Sequence, residues 1–97
     1  LKQHKIIHSD LKPDNILVSA DFKSVYLADF GSAIDITESV EITPYLVSRF
    51  YRAPEIILGL TPTYSIDLWS LAVTAAELFL GKVLFQGANN NDMINVM

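Results

Sequence analysis

The chain reads as an α+β fold in which a small β-hairpin precedes a long irregular segment and one strong helix, and three observations predict it. Residues 14–18 and 25–28 are short apolar runs on either side of a polar turn at 19–23, the pattern of two antiparallel strands. Residues 29–54 lose all periodicity and carry Gly31, Pro44 and Pro54 among several Thr and Ser. Residues 66–80 are a dense apolar run of helical length, closed by Gly81.

Taken in order, residues 1–7 predict a helix end leading into a short extended run at Ile6 and Ile7. The strand starting at Asp14 turns at 19–23 and returns through Val25, Tyr26, Leu27 and Ala28. An aperiodic segment as long as 29–54 is usually functional or disordered. Ser65 is the expected N-cap of the 66–80 helix. The apolar stretch 68–80 is shorter than the roughly 20 residues of a membrane span, and it carries Ser70, Thr74 and Glu77, so it predicts a buried helix of a soluble domain. Asn89, Asn90 and Asn91 read as a loop or helix cap, and Met93, Val96 and Met97 have helical spacing. The start at Leu1 and the abrupt end at Met97 read as those of an excised piece.

Composition limits the function. At 97 residues, 51% hydrophobic and 19% charged, the chain is expected to form one small core. Seven basic residues against eleven acidic, a net charge of −4, argue against a nucleic-acid or anionic-membrane surface, which needs a basic patch. Cysteine is absent, which removes disulfides, thiolate nucleophiles and Cys-type zinc sites and fits a reducing compartment.

The chemistry sits at the two ends of the hairpin. His8-Ser9-Asp10-Leu11-Lys12-Pro13-Asp14-Asn15 precedes it and Asp29-Phe30-Gly31 comes after it. Antiparallel strands return the chain to its starting edge, so Asp10, Lys12 and Asn15 can lie beside Asp29. Oxygen donors from Asn15 and Asp29 suit a hard Mg²⁺ that keeps phosphates as further ligands. Lys12 adds a point positive charge, and Asp10 can accept the proton of an attacking hydroxyl. Singly, each of these residues is more often a turn acid or a solvated lysine; the ordered set is what points to phosphoryl transfer.

That set, His-x-Asp-x-Lys-x-x-Asn, then a strand pair, then Asp-Phe-Gly, then Ala53-Pro54-Glu55, resembles the eukaryotic protein-kinase signature in order and spacing. The resemblance covers all 97 residues, which are similar to the partial C-terminal lobe of a kinase domain from the end of helix E to the start of helix G. It implies Asp10 as catalytic base, Lys12 as the phosphate-contacting lysine, Asn15 and Asp29 as metal ligands, Leu17 in the adenine floor and Phe30 packed behind the site. ATP and Mg²⁺ are the implied cofactors. Lys12 matches the serine/threonine version, so the implied partners are proteins with Ser or Thr acceptors.

Tyr45-Leu46-Val47-Ser48-Arg49-Phe50-Tyr51-Arg52 resembles the CMGC group, and residues 42–59 with Gly31-Ser32-Ala33 are similar to the pre-mRNA-processing splicing kinases. This implies a nuclear protein with spliceosomal substrates; the alternatives are a dual-specificity tyrosine-regulated or Clk-type kinase, or a pseudokinase scaffold. By the same likeness, Tyr45 is a phosphorylation site read by Arg49 and Arg52. Ser48 bridges the catalytic Asp and Lys, Glu55 is a buried acid whose Arg partner lies further along the family's sequence, and Asp67 and Trp69 are the helix F anchor. Ser9 stands where the family commonly has Arg, so the charge link to a phosphorylated loop is absent. The segment lacks the glycine-rich loop and the upper-lobe Lys, and alone it is expected to be inactive.

Overall fold

A computed structural model describes residues 1–38 and 42–97. Its architecture is α+β: two two-stranded antiparallel ladders set against one long helix. A 3₁₀ turn at Lys2–His4 leads into β1, Ile6–Ile7. A second 3₁₀ turn, Pro13–Asn15, precedes β2, Ile16–Val18, which pairs with β3, Val25–Leu27, in the register Ile16–Leu27, Leu17–Tyr26 and Val18–Val25. The hairpin is where the sequence predicts it, with β2 starting two residues later because Pro13 fixes a turn conformation in place of a strand. Side chains alternate along β2: Ile16 and Val18 line one cavity with Thr74 and Leu78, and Leu17, 52% exposed, lies on the other face.

The segment expected to be irregular contains more structure than its pattern shows. β4, Ile34–Asp35, pairs with β1 (Ile6–Asp35, Ile7–Ile34), and a 3₁₀ turn at Arg49–Tyr51 leads into α1, Pro54–Ile57. Residues 39–41 of this segment lie outside the described residues.

The long helix α2, Ser65–Leu80, ends at Gly81 with φ 76°, a left-handed conformation that glycine adopts without steric cost, and the Gly81 N–H closes on the Glu77 carbonyl at 2.7 Å. Ser65 is not the cap: it is the first helical residue, Tyr64 holds the cap position, and the Ser65 hydroxyl lies against Thr63 Oγ1 and Glu55 instead. Nor is the helix buried all round. Ile66, Ser70, Val73 and Thr74 form one buried stripe at helical spacing, while Leu68, Leu71 and Phe79 on other faces are exposed. No helix among the described residues is long and apolar enough to cross a membrane.

The core joins four parts of the chain. Ile7 of β1, Val47, Tyr51 and Ala53 of the irregular segment, Ile56 of α1 and Ile66 and Val73 of α2 form one buried cluster. Each fully buried Ile contributes about 1.5–3 kcal/mol. Two hydroxyls tie this core together: Ser70 donates to the Tyr51 carbonyl at 2.7 Å, and the Tyr51 hydroxyl donates to Glu77.

The last helix, α3, Asn90–Val96, is capped by Asn89, whose side chain accepts the Asp92 N–H at 3.0 Å. The Asn run is thus a cap, as its composition predicts. Gly87 packs directly on this helix, and a Cβ there would sit 2.6 Å from the Met93 nitrogen. That obstacle is backbone, so it cannot rotate away. Gly87→Ala is expected to destabilise the chain by about 1–3 kcal/mol, the usual range for overpacking. A urea midpoint equal to that of the unsubstituted chain would refute this packing.

Candidate active site

Three elements converge on Asp10. The 3₁₀ turn Pro13–Asn15 carries Asn15, whose amide nitrogen donates to the Asp10 carbonyl at 2.8 Å and to Asp10 Oδ2 at 3.3 Å. From the irregular segment, Ser48 Oγ donates to Asp10 Oδ1 at 2.7 Å and accepts from Lys12 Nζ at 3.1 Å. Lys12 Nζ also lies 3.9 Å from Asp10 Oδ1. Both carboxylate oxygens are therefore held, one by an amide and one by a hydroxyl that is itself held by an ammonium. Asp10 and Lys12 stay accessible, at 18% and 28% side-chain exposure, so the ion pair is screened and its value is orientation more than stability.

Asp29 reaches the same edge through the hairpin. The Ala28 N–H donates to the Asn15 carbonyl at 2.8 Å, which fixes Asp29 one residue beyond a backbone contact with Asn15. Asp29 is exposed, has φ 58°, and its Oδ1 accepts the Gly31 N–H at 3.3 Å. Asn15 spends its amide nitrogen on Asp10, which leaves its amide oxygen and the Asp29 carboxylate as hard oxygen donors. That donor chemistry fits Mg²⁺.

His8 and Asp67 support the loop from beneath. Asp67 accepts the His8 N–H at 2.7 Å through Oδ2 and the Ser9 N–H at 3.0 Å through Oδ1. His8 is fully buried; its Nδ1 accepts the Asp10 N–H at 3.1 Å, so Nε2 carries the proton and donates to the Ala28 carbonyl at 2.8 Å. The imidazole thus links Asp10 to the residue before Asp29, and Phe30 packs edge-on against it at 4.8 Å. Read from residues alone, His8 has a place in the motif but no role of its own; an imidazole between two motif segments was the available signal. Trp69 is half-buried at the edge of the core, stacked on Phe85 at 6.1 Å, and its Nε1 has no partner among the described residues.

Ser9 is buried and adopts φ 64°, and its hydroxyl donates to the Ser32 carbonyl. It ties the loop that carries Asp10 to the residue after Gly31 with a neutral bond. Left-handed conformations at Ser9 and Val47 (φ 72°) flank the cavity that Asp10 lines, and such strain persists only where surrounding contacts determine it.

The residues expected to be regulatory separate. Tyr45 is 73% exposed and Arg49 is exposed, but Arg52 is buried. The Arg52 fork, expected to read a phosphorylated Tyr45, is already engaged: its Nε donates to the Leu46 carbonyl at 3.0 Å, Nη2 donates to the Val47 and Tyr45 carbonyls at 2.9 and 3.2 Å, and Nη1 donates to Asn90 Oδ1 at 2.5 Å. Burial, with Arg49 adding to it, pushes its pKa below the ordinary guanidinium range. The guanidinium remains 5.9 Å from the Tyr45 ring. Glu55 is also corrected, from buried to half-buried, because it occupies the first turn of α1 at the surface, where Ser65 Oγ contacts it at 3.4 Å.

A family model described as the protein kinase domain matches residues 1–97. The chain belongs to the protein kinase family. It is 59% identical over 96 residues to the serine/threonine-protein kinase prpf4B of Dictyostelium discoideum, which covers 99% of this chain and 12% of that protein. To the serine/threonine-protein kinase prp4 of Schizosaccharomyces pombe it is 54% identical over 97 residues, 100% of the chain and 20% of that protein. The dual specificity protein kinase YAK1 of Saccharomyces cerevisiae matches at 50% over 95 residues, 97% of the chain and 12% of the relative. The similarity is therefore to Prp4-like kinases of the CMGC group, and the chain spans 12% to 20% of the length of these kinases.

Proposed function

We propose that residues 1–97 are the central part of a larger kinase domain in a serine/threonine protein kinase that transfers the γ-phosphoryl of ATP to Ser or Thr hydroxyls. The observation that carries this reading is the connected set Asn15–Asp10–Ser48–Lys12, in which a carboxylate is oriented from both sides beside an ammonium. In the reaction, the acceptor hydroxyl attacks the γ-phosphorus, its proton passes to Asp10, and the bond to the β–γ bridging oxygen breaks. Lys12 meets the negative charge that spreads over the phosphoryl oxygens. Asn15 and Asp29 would hold Mg²⁺, which when bound neutralises charge on the phosphates. Leu17, apolar and exposed on the outer face of the hairpin, is suited to lie under the adenine.

The exposed apolar residues of α2, Leu78 and Phe79 among them, support the view that the segment packs within a larger domain. The likeness of residues 42–59 to pre-mRNA-processing kinases supports a nuclear role in splicing with spliceosomal protein substrates.

The test is an ATP-dependent phosphorylation assay on a Ser-rich peptide with the full-length kinase that carries this segment. Asp29→Ala is expected to lower the rate by about 10²-fold or more, since metal stabilisation of transition-state charge is worth several kcal/mol. The 97 residues alone, with no glycine-rich loop in their sequence, should show no transfer in the same assay. Undiminished transfer by the Asp29→Ala enzyme would remove Asp29 from the metal-ligand role, and no transfer by the unsubstituted enzyme would favour a scaffold.

A further inference from the structure

Four consecutive carbonyls, those of Pro44, Tyr45, Leu46 and Val47, are all hydrogen-bonded by two side chains. Arg52 takes the last three. Asn90, the first residue of α3, takes the first, with Nδ2 donating to the Pro44 carbonyl at 3.0 Å. The same amide accepts Arg52 Nη1 through Oδ1 at 2.5 Å. Asn90 thus uses both ends of one rigid amide, holding the turn directly and orienting the guanidinium that holds the rest of it.

The turn so held runs straight into a partner of Asp10. Val47 is β-branched and left-handed, a conformation that L side chains avoid, and its carbonyl is the one Arg52 grips most closely. The next residue is Ser48, which donates to Asp10. A cavity of ≈260 Å³ lined by Ser9, Asp10, Tyr45, Val47 and Ser48 opens on this turn, beside the carboxylate that an acceptor hydroxyl must reach. A residue that both donates and accepts in one plane is required at position 90; a carboxylate would put an acceptor against the Pro44 carbonyl, and an apolar side chain would leave both partners unmet.

We infer that Asn90 is a positioning residue: through Pro44 and Arg52 it sets the turn 44–48 against which the acceptor peptide lies, and so governs peptide binding without touching ATP. This rests on the proposed kinase activity. In the full-length enzyme, Asn90→Leu is expected to raise the KM for a Ser-rich acceptor peptide by about 5-fold or more, the scale of one or two lost hydrogen bonds left unpaired. Asn90→Asp, which keeps the Arg52 partner and loses the donor to Pro44, should raise it by a smaller factor. In both, the KM for ATP should stay within about twofold of the unsubstituted enzyme. Amide hydrogen exchange at Tyr51 and Arg52, whose N–H groups close on the Ser48 and Arg49 carbonyls just past the turn, should quicken in Asn90→Leu while that of α2 stays the same.

An unchanged peptide KM in both variants overturns the inference, and so does an equal rise in the KM for ATP or a general loss of exchange protection, which would mark a merely structural residue. If the unsubstituted enzyme transfers no phosphate, the kinase reading fails by itself. Exchange at Tyr51 and Arg52 then decides the clamp, upheld by selective quickening and overturned by none.

Discussion

Replacing Asp10 by Asn in the full-length kinase is expected to lower kcat by about 10²–10⁴-fold, the contribution a positioned general base makes. The substitution is nearly isosteric, so the supporting contacts survive. The new amide oxygen can face Asn15 Nδ2, and the new nitrogen can donate to Ser48 Oγ, which accepts through its second lone pair while still receiving Lys12. What is lost is the capacity to take a proton. Thermal stability and the KM for ATP should therefore stay close to those of the unsubstituted enzyme while kcat collapses. A variant that keeps kcat within tenfold would mean that Asp10 is an orienting group and that the proton leaves by another route.

The hairpin and the long helix were legible because their signals are local. Short apolar runs on either side of a polar turn fix β2 and β3, and an apolar run closed by Gly81 fixes α2. The β1–β4 ladder was not legible. It is two residues long on each side, and Ile34 finds Ile7 across 27 positions with nothing in either neighbourhood to announce the pairing. Pro54 at the first position of α1 was a readable start signal, since proline is preorganised there, but a four-residue helix is too short to show periodicity.

The site divides in the same way. Motif order and the hairpin return single out Asp10, Lys12, Asn15 and Asp29 as one set from sequence, and the resemblance adds Ser48; the bonds that join Asp10 to Asn15 and Ser48, and Ser48 to Lys12, come from the geometry. Arg52 shows the limit of that reasoning. A charged residue in an irregular segment reads as surface, and it is buried here because the chain folds three carbonyls onto it, a convergence that spacing cannot reveal. Asn90 is invisible for the same reason: its partners lie 38 and 46 positions away.

The second large effect is expected at Asp67. A carboxylate in the first turn of a helix is ordinarily credited to the macrodipole, worth about 0.3–1 kcal/mol. Asp67 does more, because its two oxygens accept the N–H groups of His8 and Ser9, both fully buried residues. Removing the carboxylate leaves two buried donors unsatisfied, at about 1–3 kcal/mol each. Asp67→Ala should therefore cost about 2–6 kcal/mol in equilibrium urea unfolding. Asp67→Asn should recover little, since one of the two backbone donors then faces an amide N–H. The loss also reaches catalysis, because Ser9 is held in a left-handed conformation immediately before Asp10 and relaxes once its N–H is released. A stability loss below about 1 kcal/mol for Asp67→Ala would return the residue to a plain dipole role, and the rigidity of the loop that carries Asp10 would then have to come from the His8 imidazole and the Ser9–Ser32 bond.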